Sequence, residues 1–114
     1  MHEASIVANV LEIVLEAARQ ADAREVRSVR LRIGVLAGID PHALRFSFEA
    51  ARAGTPAASA RLEIEQTPAV LWCGPCDSET IEAEFSGYSC PRCGAAATEI
   101  RSGRELEVVS IEID

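Results

Sequence analysis

Four cysteines in two short pairs constrain this chain more than any other feature of its sequence. Cys73 and Cys76 form the first pair, Cys90 and Cys93 form the second, and thirteen residues separate the pairs. Two cysteines separated by two residues can turn their sulfurs toward one point, and two such turns make a tetrahedral cage. Zinc suits this cage because it accepts closed four-coordination by sulfur. The pattern predicts a structural zinc site, although the gap between the pairs is slightly short for paired zinc motifs.

The residues that follow the two pairs are suited to tight turns. Gly94 follows Cys93 and Asp77 follows Cys76. Glycine adopts a positive φ freely, and aspartate tolerates it better than most residues do. Two disulfides and an iron centre of the same S₄ geometry are the alternatives to zinc. Since the chain begins without an export signal, we expect a cytoplasmic protein, where thiols stay reduced and a metal is favoured over disulfides.

Composition narrows the possible partners. The 114 residues predict one compact domain or a small domain with an insert, and no apolar run is long enough to span a bilayer. The net charge is −7. Nucleic-acid binding requires a basic surface, so the sequence favours neither a nucleic-acid nor a membrane partner.

Hydrophobic periodicity predicts an α+β fold. Intervals of three and four residues indicate two helices, and strict alternation indicates strands. The predicted order is helix (4–20), strand (25–35), helix (41–53), strand (61–66), metal insert (68–103) and strand (104–113). Strand–helix–strand implies a parallel pair with a right-handed crossover, and we expect the strands on either side of the insert to be antiparallel. The prediction is a small three-stranded mixed sheet with two helices, carrying an inserted zinc-ribbon-like module built on the four cysteines.

The same reading divides the chain into two parts. Residues 1–67 plus 104–114 form an α/β domain, and residues 68–103 form the zinc-binding module. The module has few residues for a core of its own, so the metal must supply much of its stability. Those residues are Trp72, Ile81, Phe85, Tyr88 and Ile100.

Individual positions refine this outline. Apolar residues of the first helix form its inner stripe: Ile6, Val7, Val10, Leu11, Ile13, Val14, Ala17 and Ala18. Asp40 occupies the N-cap position of the second helix and Pro41 its first position. In the last strand the alternation shifts at Val108 and Val109, which predicts a bulge or a strand covered on both faces.

The first residues form a second candidate metal site. The α-amine of Met1, the backbone amide of His2 and its imidazole can close chelate rings on one ion, and nitrogens in a plane suit Ni(II) or Cu(II). Glu3 could add its own amide or carboxylate. The plainer interpretation is that His2 is an ordinary residue near a terminus and that Glu3 favours the positive end of the first helix. No serine–histidine–acid or cysteine–histidine arrangement is legible, and nothing indicates an enzyme.

Met1-His2-Glu3 at the start, a helix behind it and two Cys-x-x-Cys pairs near the end resemble the HypA/HybF family of hydrogenase nickel-incorporation proteins. The resemblance implies a nickel metallochaperone that serves [NiFe]-hydrogenase, and in some organisms urease, with a HypB-type GTPase and the hydrogenase large subunit as partners. It implies nickel binding at Met1, His2 and Glu3, with Asp40 as an auxiliary acidic ligand. It also implies zinc binding at Cys73, Cys76, Cys90 and Cys93, in a monomer or a dimer. No histidines flank the cysteine pairs, unlike in some members of the family.

Two other classes of function are compatible with the cysteine pattern. One is a zinc-ribbon adaptor that binds nucleic acid or protein. The acidic net charge disfavours binding to nucleic acid but not binding to protein. The other is a rubredoxin-like electron carrier with iron in the cage, which would be recognised by its red colour.

Overall fold

The computed structural model describes residues 2–84 and 86–114, so Met1 and Phe85, predicted as a nickel ligand and a core residue, lie outside the described residues. Within these ranges the elements are α1 (Glu3–Gln20), β1 (Val26–Gly34), α2 (Pro41–Ala51), β2 (Arg61–Thr67), β3 (Ala69–Cys73), β4 (Ser78–Glu82), β5 (Glu99–Ser102) and β6 (Leu106–Ile113). Both predicted helices and the three predicted strands are confirmed. The insert adds three short strands that periodicity did not predict.

The first sheet has the order β2-β1-β6. Residue numbers of contacting partners increase in the same direction along β1 and β2. Arg30 contacts Glu63, and further along the Val35 N–H donates to the Thr67 carbonyl at 3.0 Å. Partners along β6 run the other way, from Gly34 with Glu105 to Glu25 with Asp114. β1 is therefore parallel to β2 and antiparallel to β6, which confirms the mixed sheet.

The chain divides into two compact units. The first contains residues 1–31, 39–65 and 107–114, and the second contains residues 32–38 and 66–106. The second unit thus includes residues 32–38, 66–67 and 104–106, which the sequence-based boundaries placed with the α/β domain. None of the described helices is both long and apolar enough to cross a membrane.

The core of the first unit lies where α1 packs against α2 and where β1 presents its buried side chains. The inner stripe of α1 is narrower than predicted, because Ile13 is 57% exposed and Ala17 is exposed as well. Phe46 of α2 is 71% exposed. The buried apolar side chains of this unit are Val7, Val10, Leu11, Val14, Ala18, Val26, Val29, Leu31, Leu44, Phe48, Ala57 and Ala60, and its buried polar ones are Glu3 and Ser28.

β6 is an edge strand with little cover. Only Val108 and Ile111 are half-buried, and the other six residues of the strand are exposed. A strand covered on both faces is therefore wrong. The cause is its position at the edge of the sheet, where one neighbour is missing and the side chains meet solvent.

The second unit contains an antiparallel sheet of order β4-β3-β5. Alternate residues of the central strand β3 are buried, namely Ala69, Leu71 and Cys73. Of the residues predicted to form a core here, Ile81 is 68% exposed and Tyr88 is 47% exposed, so that prediction is wrong for both. A sheet this small covers only one of its faces, and its buried set consists largely of cysteine and small residues.

Two glycines let backbone segments of the second unit approach closely. The Leu36 N–H donates to the Gly103 carbonyl at 2.7 Å, and the Gly34 N–H donates to the Glu105 carbonyl at 2.8 Å. A Cβ on Gly34 would lie 2.0 Å from the Gly103 oxygen. Gly103 also has a φ of +119°, a conformation that other residues rarely adopt.

Candidate metal centres

The four cysteine sulfurs converge in the second unit, with all ligand atoms within 4.8 Å of one another. The Sγ atoms of Cys73 and Cys93 are 3.6 Å apart, and those of Cys76 and Cys90 are 3.9 Å apart. These cysteines are free, and both separations greatly exceed the ~2.05 Å of a disulfide. A tetrahedron with zinc–sulfur bonds of about 2.3 Å has sulfur–sulfur edges of about 3.8 Å. The donor set and its spacing therefore fit a tetrahedral thiolate metal site.

Two tight turns bring the pairs to this point. Cys73 is the last residue of β3 and the first pair ends just before β4, which begins at Ser78. Asp77 has a φ of +50° and Gly94 a φ of +78°, which confirms the prediction for the residues that follow each pair. In the second turn the Gly94 N–H donates to the Cys90 carbonyl at 2.8 Å.

The sulfurs differ in their surroundings. Backbone N–H groups of Cys93 and Arg92 lower the pKa of Cys90 to about 6, because they donate hydrogen bonds that stabilise its thiolate. Hydrogen bonds with the Cys93 and Cys73 sulfurs raise the pKa of Cys76 to about 12. A metal binds thiolates, and the backbone N–H groups around Cys90 favour that form of its sulfur.

The other predicted site is at the start of α1. His2 is exposed and occupies the N-cap position of the helix, without a capping hydrogen bond from its side chain. Glu3 is only 5% exposed, and its Oε2 accepts a hydrogen bond from the Asp40 N–H at 3.2 Å. The pKa of Glu3 lies at about 2, because its carboxylate is hydrogen-bonded to the N-terminal amino group and to the Asp40 amide.

Asp40 caps the second helix as predicted. Its Oδ1 accepts a hydrogen bond from the His42 N–H at 2.9 Å, and Pro41 is the first helical residue. The residue as a whole is exposed. The fold thus brings Glu3 and Asp40 into contact although they are 37 residues apart in the sequence. No local sequence pattern indicates this contact.

Among residues 2–84 and 86–114, the four cysteines are the group of metal-binding side chains already gathered for one ion. His42 is exposed and contributes its backbone N–H to the cap of α2. Arg92, inside the second cysteine pair, has a side chain that reaches the strand after the first pair. No local pattern in the sequence indicates this role, because the partners of Arg92 lie outside its own turn.

The fold and the cysteine cage define a small α+β metal-binding protein. The sequence pattern of the family described as "Hydrogenase/urease nickel incorporation, metallochaperone, hypA" matches residues 1–113. The chain therefore belongs to the HypA family, whose members act in hydrogenase maturation and nickel incorporation.

Individual relatives agree with this assignment. The chain is 45% identical over 112 residues to a "Hydrogenase maturation factor HypA" of Chloroflexus aggregans, covering 98% of each chain. It is 46% identical over 112 residues to a factor of the same name from Streptomyces avermitilis, covering 97% of this chain and 86% of the relative. The solution structure of the nickel metallochaperone HypA from Helicobacter pylori has a TM-score of 0.68 at 24% identity, covering 99% and 97% of the two chains, and supports the fold.

Proposed function

We propose that this chain binds Ni(II) at its N-terminus and delivers it during maturation of [NiFe]-hydrogenase, and of urease where a urease is present. The cysteine cage holds a structural zinc ion. The family assignment supports a role in hydrogenase maturation. One contact supports placing the nickel site, called the cargo site below, at the N-terminus. That contact is the hydrogen bond between Asp40 and Glu3, which joins the two parts of the predicted nickel site.

The proposed ligands are the α-amine of Met1, the amide and imidazole nitrogens of His2, and Glu3, with Asp40 as an auxiliary. Glu3 can act through its amide or its carboxylate, and its carboxylate also holds the Asp40 backbone in place. Both carboxylates lie at helix N-termini, where the helix dipole favours negative charge. They offset the repulsion that a cation would otherwise meet there.

This chemistry suits a carrier. A ligand set that includes titratable nitrogens binds nickel but also releases it on protonation or ligand exchange. Copper binds such nitrogens more tightly than nickel does, so selectivity must come from metal availability and from docking to partners. We propose a HypB-type GTPase and the hydrogenase large subunit as those partners, a cytoplasmic location, and no catalytic activity of the chain itself.

In the proposed division, residues 1–67 plus 104–114 carry the cargo and residues 68–103 carry zinc. Four cysteines leave no open position on zinc, which fits a structural role. Cys73 and Cys90 are buried and Cys93 is exposed, so the cage is partly shielded from chelators. A colourless purified protein with one zinc per chain is expected, and thiolate-to-iron charge-transfer bands would instead identify a rubredoxin-like carrier.

Nickel titration tests the cargo site. The native chain, the His2→Ala variant and a form extended by residues before Met1 are compared by calorimetry, with zinc content measured in each. We expect one nickel per native chain and strongly weakened binding in both altered forms, because each removes a chelating nitrogen. Equal nickel binding by all three, with zinc retained, would show that the N-terminal site is wrong.

A further inference from the structure

We infer that Arg92 is a positioning residue of the four-cysteine centre, holding the second cysteine turn against the strand that follows the first. This inference rests on the proposed binding of zinc by Cys73, Cys76, Cys90 and Cys93. The Arg92 guanidinium Nη2 donates to the hydroxyl of Ser78 and to the backbone carbonyl of Glu79, the latter at 3.3 Å. One side chain thereby connects the second cysteine turn to the strand that follows the first.

Its partners are placed where such a link matters. Ser78 and Glu79 are the first residues of β4, and Ser78 lies opposite Cys73 in the β3–β4 register. The second turn has its own short-range bonds, from the Cys90 N–H to the Ala95 carbonyl at 2.7 Å and from Gly94 to Cys90. Those bonds shape the turn but do not join it to β4, whereas the Arg92 side chain does.

The link reaches a ligand atom through the backbone. The Arg92 N–H donates to the Cys90 sulfur at 3.4 Å. Because the far end of the same residue is held on β4, the direction of this N–H is held as well. Hydrogen-bonded groups behind the ligands orient them and affect metal retention.

Charge favours the same role. Zinc bound by four thiolates has a formal charge of −2, and a nearby guanidinium offsets it. Arg92 forms no ion pair with a carboxylate in the described part of the chain. Arg101 of β5 instead pairs with the carboxylates of Glu79 and Glu99 and lies 4.0 Å from the centre of the Trp72 ring.

The experiment measures zinc transfer from the full chain to a chromophoric chelator in the wild type, Arg92→Ala, Arg92→Lys and Ser78→Ala. Arg104→Ala is the matched control, because it removes one exposed guanidinium of the same unit that has no bond to either turn. We expect Arg92→Ala to weaken zinc retention about tenfold, the lower end of the range for groups behind metal ligands. Arg92→Lys should restore part of it, Ser78→Ala should lose less than Arg92→Ala, and Arg104→Ala should match the wild type.

Cobalt substitution provides a readout that a general loss of stability would not change. Thiolate-to-cobalt charge-transfer bands should shift in Arg92→Ala, because the backbone N–H of residue 92 still donates to the Cys90 sulfur but its residue is no longer held on β4. They should stay in place in Arg104→Ala. Additive effects of the Arg92 and Ser78 changes in the double variant would overturn the link between them. Wild-type zinc retention and cobalt bands in Arg92→Ala would overturn the inference while leaving the zinc proposal intact. A wild-type chain that binds no zinc would overturn both.

Discussion

Asp40 carries two roles that a matched pair of substitutions can separate. Its Oδ1 caps α2 through the His42 N–H at 2.9 Å, and its carboxylate charge is proposed to assist nickel binding. Asparagine is as good an N-cap as aspartate but is neutral, whereas alanine cannot cap. Asp40→Ala should therefore lose about 1 kcal/mol of unfolding free energy, and Asp40→Asn only a few tenths. For a domain of this size, 1 kcal/mol corresponds to a fall in Tm of about 4 °C.

Nickel binding should follow charge and not capping. Both variants lose the carboxylate, so both should bind nickel roughly tenfold more weakly, by analogy with the loss of supporting groups at metal sites. The assays are thermal unfolding of zinc-loaded protein by circular dichroism and nickel titration by calorimetry. The Glu3 bond should survive in both, because it is made by the backbone N–H of Asp40. Equal destabilisation of the two variants would refute the capping argument, and native nickel affinity in Asp40→Asn would refute the auxiliary-ligand role.

Four further predictions concern stability, pH and the cage. Stripping zinc with a strong chelator should remove the near-ultraviolet dichroism of Trp72, the single tryptophan, while the far-ultraviolet signal of α1 and α2 largely persists; parallel loss of both signals would contradict a metal-dependent module. Glu3→Gln should flatten the acid branch of the curve of unfolding free energy against pH. The folded pKa of Glu3, about 2, lies below the ordinary 4.5, so the wild type loses the stabilisation by this carboxylate as pH falls from about 4.5 toward 2. Identical acid branches for the variant and the wild type would refute this prediction. Gly34→Ala should destabilise the chain by more than about 2 kcal/mol, since its Cβ would lie 2.0 Å from the Gly103 oxygen. A Cβ at Gly54 would meet open space, so Gly54→Ala is strained only by the φ of +76° at that position. The urea midpoint of Gly54→Ala should therefore lie between those of the wild type and Gly34→Ala. Phe48 is 1% exposed, so Phe48→Ala should lower the free energy of unfolding by about 3–5 kcal/mol. Phe46 is 71% exposed, so Phe46→Ala should lower it by less than about 1 kcal/mol in the same urea titration.

Local sequence patterns predicted most of the fold and the convergence of the four cysteines. The Cys-x-x-Cys spacing and the turn residues Asp77 and Gly94 sufficed for the cage, because each turn is encoded within a few residues. The bond between Glu3 and Asp40 and the link from Arg92 to β4 were not predictable, because each joins segments through tertiary packing. Ile13 and Tyr88 were misjudged as buried for the related reason that periodicity identifies apolar positions but not how far the opposite layer extends.

The order β2-β1-β6 has a consequence for the order of folding. β6 is the last strand to leave the ribosome, yet its partner β1 is among the first, and residues 68–105 must be brought together before the strands can pair. Closing a flexible loop costs entropy that grows with its length, and a folded metal module shortens the flexible part. Zinc uptake during synthesis should therefore accelerate completion of the first sheet. In a zinc-starved cell, the free edge of β1 would stay open longer and expose newly made chains to aggregation.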